Sequence, residues 1–177
     1  MKDTGMIRKI DSLGRIVLPK EIRNSMGIVE GSALSIMLEN GKIILEKYDT
    51  IKSIGDVGTE LCEVLYESIK CPIILTTTSM PVCVIGASKK QYINKALSLE
   101  VVSLIRDNKN YIASKNDNTT LIPIVVGEEI KFDSQVLFPI ISDGKCEGML
   151  IALGEATMCD IKVIQTFATF AGKQVKL

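Results

Sequence analysis

Arg8-Lys9-Ile10-Asp11-Ser12-Leu13-Gly14-Arg15-Ile16-Val17-Leu18-Pro19-Lys20-Glu21-Ile22-Arg23 is the stretch that decides how this chain reads. Residues 6–11 alternate loosely between apolar and polar, which predicts a strand. Leu13-Gly14-Arg15 reads as a turn, with Gly supplying permissive backbone angles. Residues 15–18 are β-branched and aliphatic, a second strand. Pro19 stops that strand and suits the first position of a helix, predicted over 20–26 and ended by Gly27. Glu21 falls in the favourable first turn. Outward from there, residues 33–38 and 42–47 read as strands joined by Glu39-Asn40-Gly41, and Asn-Gly is a strong hairpin signal.

Charge marks the same stretch. The chain is neutral, with 21 basic and 21 acidic side chains. Three of its four arginines (Arg8, Arg15, Arg23) nevertheless fall in the first 23 residues, where six basic groups face three acidic ones, a net of +3. Residues 53–177 carry 12 basic and 14 acidic groups, a net of −2. Arginine offers a planar fork of donors suited to phosphate oxygens and guanine edges, which lysine cannot copy. The plainer alternative is a solvated basic surface with scattered ion pairs.

A unit of about 50 residues buries too little surface to be comfortable alone and usually needs disulfides, a metal or a partner. The first cysteine is Cys62, so a dimer is the remaining ordinary solution for the head. Two copies would present two sets of arginines, matching the two-fold symmetry common in DNA sites.

The rest of the composition is mostly exclusion. The 177 residues are 46% apolar but only 5% aromatic, so the core is expected to be aliphatic. There is no histidine, which removes His acid/base catalysis, Ser–His and Cys–His pairs and His-containing zinc sites. Cys62, Cys71, Cys83, Cys146 and Cys159 form no CxxC pair and read as buried small hydrophobes in a reducing compartment. The longest apolar runs, 73–75 and 149–153, are too short to span a membrane. A soluble cytoplasmic protein is expected. Lys89-Lys90 near Tyr92, or Cys83 with Cys146, are imaginable catalytic pairs. No carboxylate pair, phosphate loop or metal constellation accompanies them, so the reading is no enzyme, no catalytic residue, no metal and no cofactor. A helix N-terminus after Ser88 leaves an anionic ligand conceivable.

Residues 49–52 read as a short linker, and 53–177 as a second unit. Ser53 is expected to cap a helix to about Ile69. Strands are expected at 72–78, 81–87, 121–126, 136–141 and 148–153, with a turn at Asp143-Gly144-Lys145. Helices are expected at 96–106 and, capped by Thr157, at 158–175. This is an α+β body. The last helix carries two apolar stripes: Ile161, Ile164, Ala168, Ala171 and Val175, and Val163, Phe167 and Phe170. The first helix carries Ile54, Val57, Leu61 and Val64, and also Cys62, Leu65 and Ile69. A helix on a sheet needs one stripe. The phenylalanines are therefore expected inward and the Ile161–Val175 seam outward, as a subunit contact.

The opening stretch, with Thr4-Gly5 before it and Met26-Gly27-Ile28-x-Glu30-Gly31 and Lys42-Ile43-Ile44-Leu45-x-Lys47-Tyr48 after it, resembles the AbrB-type transition-state regulators. The resemblance implies a swapped-hairpin head over 1–48, two chains interleaving into one dimeric β-barrel. It implies DNA contacts by Arg8, Lys9, Arg15 and Arg23. Asn24 departs from relatives that carry a second arginine there, which leaves the sequence preference open. The body, 53–177, resembles a GAF-type sensor domain, an antiparallel sheet with flanking helices. The combination, with Gly86-x-Ser88-Lys89-Lys90-x-Tyr92-x-Asn94-Lys95, is similar to the stage V sporulation protein T regulators. That likeness implies a forespore transcription regulator that activates some genes and represses others, and favours a tetramer.

Three readings stand beside one another. The first is a regulator of double-stranded DNA, self-associating through head and body, whose sensor body leaves a small-molecule ligand open. The second is the antidote of a toxin–antidote pair, which would use the same head. The third is a ligand-sensing scaffold that does not use DNA. The arginine set favours the first.

Overall fold

The structure, a computed structural model, describes residues 7–26, 28, 30, 32, 34–47 and 50–175. Met6, Gly27, Ala33 and Asp49, each placed in or beside an expected element, lie outside the described residues. The chain divides into two compact units, Met1–Tyr48 and Asp49–Leu177.

In the first unit the segment 7–19 is extended and folds back once, at Asp11–Arg15. The Asp11 amide donates to the Arg15 carbonyl at 3.0 Å and the Gly14 amide to the Asp11 carbonyl at 3.0 Å. Gly14 takes φ 75°, the left-handed region where a side chain is strained. The expected turn is present, but the flanking stretches 7–11 and 15–18 form no ladder among the described residues. A strand exists only when a neighbour satisfies its backbone groups, and the two backbone bonds here close the turn without continuing along the flanking residues. Helix α1 (Lys20–Ser25) follows, with Pro19 at its N-cap rather than inside it. At φ −55° and ψ 147°, Pro19 stays extended while its carbonyl accepts the first helical bond, from the Arg23 amide at 3.0 Å.

Strands β1 (Leu34–Glu39) and β2 (Lys42–Lys47) pair antiparallel, Glu39 opposite Lys42. Asn40 and Gly41 have φ 49° and 74°, the two positive angles that a two-residue type I′ turn requires. Of this unit's described hydrophobic side chains only Ile28 is buried, while Ile7, Ile16, Ile36, Leu38 and Ile43 are exposed.

The second unit opens with α2 (Thr50–Ile69). Residues 50–52, read as linker, are therefore helical, and Ser53 lies in the first turn rather than at the cap. Next come β3 (Ile73–Thr76), β4 (Pro81–Ile85), α3 (Lys89–Tyr92), α4 (Leu99–Arg106), β5 (Tyr111–Ser114), β6 (Ser134–Ser142), β7 (Lys145–Leu153) and α5 (Met158–Gln174). The five strands form one antiparallel sheet in the order β4-β3-β7-β6-β5. Alternation along each strand supplies two faces. Ile73, Leu75, Phe138, Ile140 and Leu150 meet α2 and α5. Ile74, Leu137, Met149 and Ile151 meet Tyr92, α4 and the loop through Ile124 and Val125.

Residues 121–126 are not a strand; a single bridge, Leu97 to Val125, is all the pairing they make. Pro123 has no amide to give a ladder. The loop's other backbone groups bond elsewhere: Ser98 Oγ to the Pro123 carbonyl at 2.5 Å, the Ser98 amide to the Ile124 carbonyl at 3.0 Å, and the Val126 amide to the Ala96 carbonyl at 3.0 Å. The neighbour of β6 at the sheet edge is instead β5, a strand not expected from the sequence. The helix expected from 96 starts at Leu99, because the Ser98 hydroxyl caps it by accepting the Val101 amide at 3.2 Å. Thr157 caps α5 as expected, in a reciprocal box with Asp160.

The α5 seam expected to face outward faces the sheet instead, while of the other stripe Val163 and Phe167 also pack against that core and only Phe170 turns away. Ile164, Ala168, Ala171 and Val175 are 0%, 2%, 3% and 3% exposed against the sheet, and Phe170 is 49% exposed. Close packing explains it. A Cβ on Gly172 would lie 2.2 Å from the Ile141 carbonyl oxygen, so at this turn the helix backbone runs directly against β6 with no room for a side chain between. On α2, Leu61, Cys62 and Leu65 are buried and Val64 is 53% exposed; the side chains of Ile54 and Val57 lie outside the described residues.

Candidate nucleic-acid interface

The turn at Asp11–Arg15 is built by its own side chains. Asp11 Oδ1 accepts the Leu13 amide at 2.9 Å and the Arg15 amide at 2.8 Å, an Asx-type closure. Asp11 Oδ2 accepts Arg15 Nε at 2.8 Å. The Arg15 backbone amide, then its guanidinium, hold the Asp11 carboxyl below its usual range. Arg15 is still 70% exposed, so its charge is displayed rather than buried. The bond to Asp11 uses Nε. The two terminal amino groups can thus meet a bidentate acceptor such as a guanine edge or a phosphate.

Arg8 and Lys9 are exposed on the extended arm before the turn. Arg23 is exposed in the last turn of α1, where a cation complements the helix dipole. Its carbonyl accepts the Ile28 amide at 2.8 Å, tying the helix end to the one buried aliphatic among the unit's described residues. The four expected residues are therefore all on the surface, and Arg15 is the one whose orientation is fixed by a neighbour. Asp11 was not singled out from the sequence. The available signal was the spacing Asp11-x-x-Gly14, an acceptor placed three residues before a glycine in a turn.

In the body, Cys83 and Cys146 are not a pair, since they pack against opposite faces of the sheet. Helix α3 is a single turn and the Ser88 hydroxyl makes no capping bond. Tyr92 is buried and donates from its hydroxyl to Glu128 Oε1 at 2.7 Å; burial, then that carboxylate, push the phenol up. Glu128 Oε2 accepts the Ile124 and Val125 amides. Tyr92 and Glu128 thus strap the 121–128 loop onto the sheet, and Ile124 and Val125 fill that face.

Two family models match the chain. The one for "Stage V sporulation protein T C-terminal, transcription factor" matches residues 53–176, and the one for "Antidote-toxin recognition MazE, bacterial antitoxin" matches residues 7–53. The chain is 32% identical over 180 residues to stage V sporulation protein T of Bacillus subtilis (strain 168), covering 99% of each. It is 54% identical over 63 residues to the transition state regulatory protein AbrB of the same organism, 34% of this chain and 66% of that one. Among solved structures, a GAF domain/HD domain protein from Geobacter sulfurreducens is similar with a TM-score of 0.51, over 72% of this chain and 92% of that one. At 11% identity that likeness is one of fold.

A head of the AbrB type joined to a GAF-like α+β body is the build of a two-unit transcription factor. The chain belongs to the stage V sporulation protein T family.

Proposed function

We propose that this chain is a sequence-specific DNA-binding regulator of sporulation, active in the forespore cytoplasm, that activates some genes and represses others. Its DNA contacts are Arg8, Lys9, Arg15 and Arg23 of the head, 1–48. The body, 53–177, regulates and oligomerises, and it performs no catalysis. The observation that carries this reading is the exposed Arg15 guanidinium held at Nε by Asp11 on a closed turn. A charge that only solubilised the surface would need no such orientation.

The head acts as an interleaved dimer. Supporting this, Ile7 is 90% exposed and Leu38 79% exposed, a density of bare aliphatics that a soluble surface seldom carries. Association through the body toward a tetramer rests on exposed Val64 of α2 and Phe170 of α5, since Ile164, Ala168, Ala171 and Val175 lie in the core. The antidote reading has one observation in its favour, the match over 7–53. It is second because a folded body follows the head where a toxin-clasping tail would be short and flexible.

The test is fluorescence anisotropy of the full chain on labelled genomic fragments. Arg15→Ala should weaken a specific site by roughly 1–3 kcal/mol. Light scattering and thermal unfolding across a dilution series report assembly. A mass of one subunit with a concentration-independent midpoint, or unchanged binding in an Arg8/Arg15/Arg23 triple alanine variant, would sink the proposal.

A further inference from the structure

Helix α1 is held by its inner side. Pro19 at the cap is buried and Ile22 half-buried, and the chain returns to the buried Ile28, whose amide bonds the Arg23 carbonyl at 2.8 Å. Lys20 and Asn24, four positions apart, lie together on the side of the helix opposite Ile22, and Arg23 lies one step round from them. All three are exposed. Glu21, the acid of this helix, falls on the flank away from Arg23.

The polar groups of the last turn are not equally available. The Ser25 hydroxyl donates to the Ile22 carbonyl at 2.9 Å and is engaged within its own helix. The Asn24 carboxamide has no hydrogen-bond partner among the described residues, and neither Lys20 nor Arg23 has an acidic partner among them. The outward face of α1 is therefore a neutral amide flanked by two cations. These groups suit different parts of a duplex. A cation meets phosphate, which positions a protein but carries no sequence information. A carboxamide sets an acceptor beside a donor in one plane. That pair matches the major-groove edge of adenine, whose N7 accepts and whose N6 amino group donates. Guanine offers two acceptors there, so one of them would face the amide oxygen.

We propose that Asn24 is a specificity-determining residue of the head, reading an adenine in the major groove. Its carboxamide donates to N7 and accepts from the N6 amino group. Lys20 joins Arg23 in holding phosphates on either side, through the helix face that they share with Asn24. This inference rests on the DNA-binding reading and adds to it the identity of one base.

The test uses the full chain and a random-sequence duplex library, with sequencing of the bound fragments. Wild type should enrich sites that contain an adenine whose replacement by 7-deazaadenine or by guanine weakens binding about tenfold, the scale of one bidentate base contact. Asn24→Arg should move the preference at that position to guanine, since a guanidinium donates to both N7 and O6. Asn24→Ala should accept adenine and guanine there equally. Circular dichroism shows whether each variant folds, and 7-deazaadenine scanning with the wild-type chain decides the matter if one does not. Selection of the same base by wild type, Asn24→Ala and Asn24→Arg would overturn this assignment and leave the DNA-binding reading standing. Enrichment of no sequence by the wild-type chain would overturn both.

Discussion

Arg15 Nε lies 2.8 Å from Asp11 Oδ2 while Oδ1 of the same carboxylate accepts the Arg15 amide at 2.8 Å, so one side chain fixes both the backbone and the guanidinium of the residue four positions on. On an exposed surface such an ion pair contributes little stability. Its value is orientation.

Arg15→Lys tests that orientation. Lysine keeps the charge but has no Nε to bond Asp11 and no fork for a bidentate acceptor. The ratio of specific to non-specific DNA affinity should fall by roughly 1–3 kcal/mol, while the slope of affinity against salt stays near wild type. Equal loss on both DNAs, measured by anisotropy at several salt concentrations, would contradict base reading by Arg15.

Asp11→Asn should act through Arg15. The amide can still accept the turn's backbone bonds, but it no longer neutralises the guanidinium. Specific binding should weaken, because the guanidinium loses the acceptor that orients it. In an Arg15→Lys background the same change should have little further effect. A double-mutant cycle reads this coupling directly, and additive losses would mean that Asp11 acts elsewhere.

Gly172→Ala should destabilise the body. The added methyl would meet the Ile141 carbonyl oxygen at 2.2 Å, a backbone atom that cannot step aside alone. Overpacking of this kind costs roughly 1–3 kcal/mol, against about 1 kcal/mol regained in helix propensity. Urea unfolding should show a lower midpoint at similar slope. A stabilised variant would mean that α5 can lift from β6.

Tyr92→Phe removes the hydroxyl that donates to Glu128 at 2.7 Å. The loss should be about 1 kcal/mol in global stability. Hydrogen exchange should quicken at the Ile124 and Val125 amides, which the same carboxylate accepts. Unaltered exchange there would show that Ser98 and Ala96 alone secure the loop.

Features that depend on a few adjacent residues were legible in the chain. Asn40-Gly41 and Asp143-Gly144 each supply two positive φ angles in succession, which two-residue hairpins demand. Thr157 with Asp160 supplies both halves of a capping box. The exposed basic head was readable as charge density in Arg8, Lys9, Arg15 and Arg23. The strand ladders expected around Asp11–Arg15 were not realised, because pairing depends on a neighbour that local sequence does not name.

By itself, then, the sequence determined the two hairpin turns, the Thr157 cap and the class of regulator. Tertiary structure alone decided which stripe of α5 meets the sheet, because both stripes have the same period. The close approach of Gly172 to Ile141 lies on the side that meets the sheet. It likewise decided that β5 rather than residues 121–126 forms the edge, through backbone bonds to Ser98 and Ala96 that no local pattern encodes. And it gathered Cys62 and Cys83 into one core layer, since the packing of a helix on a strand sets which distant side chains share a core, and sequence separation carries no record of that packing.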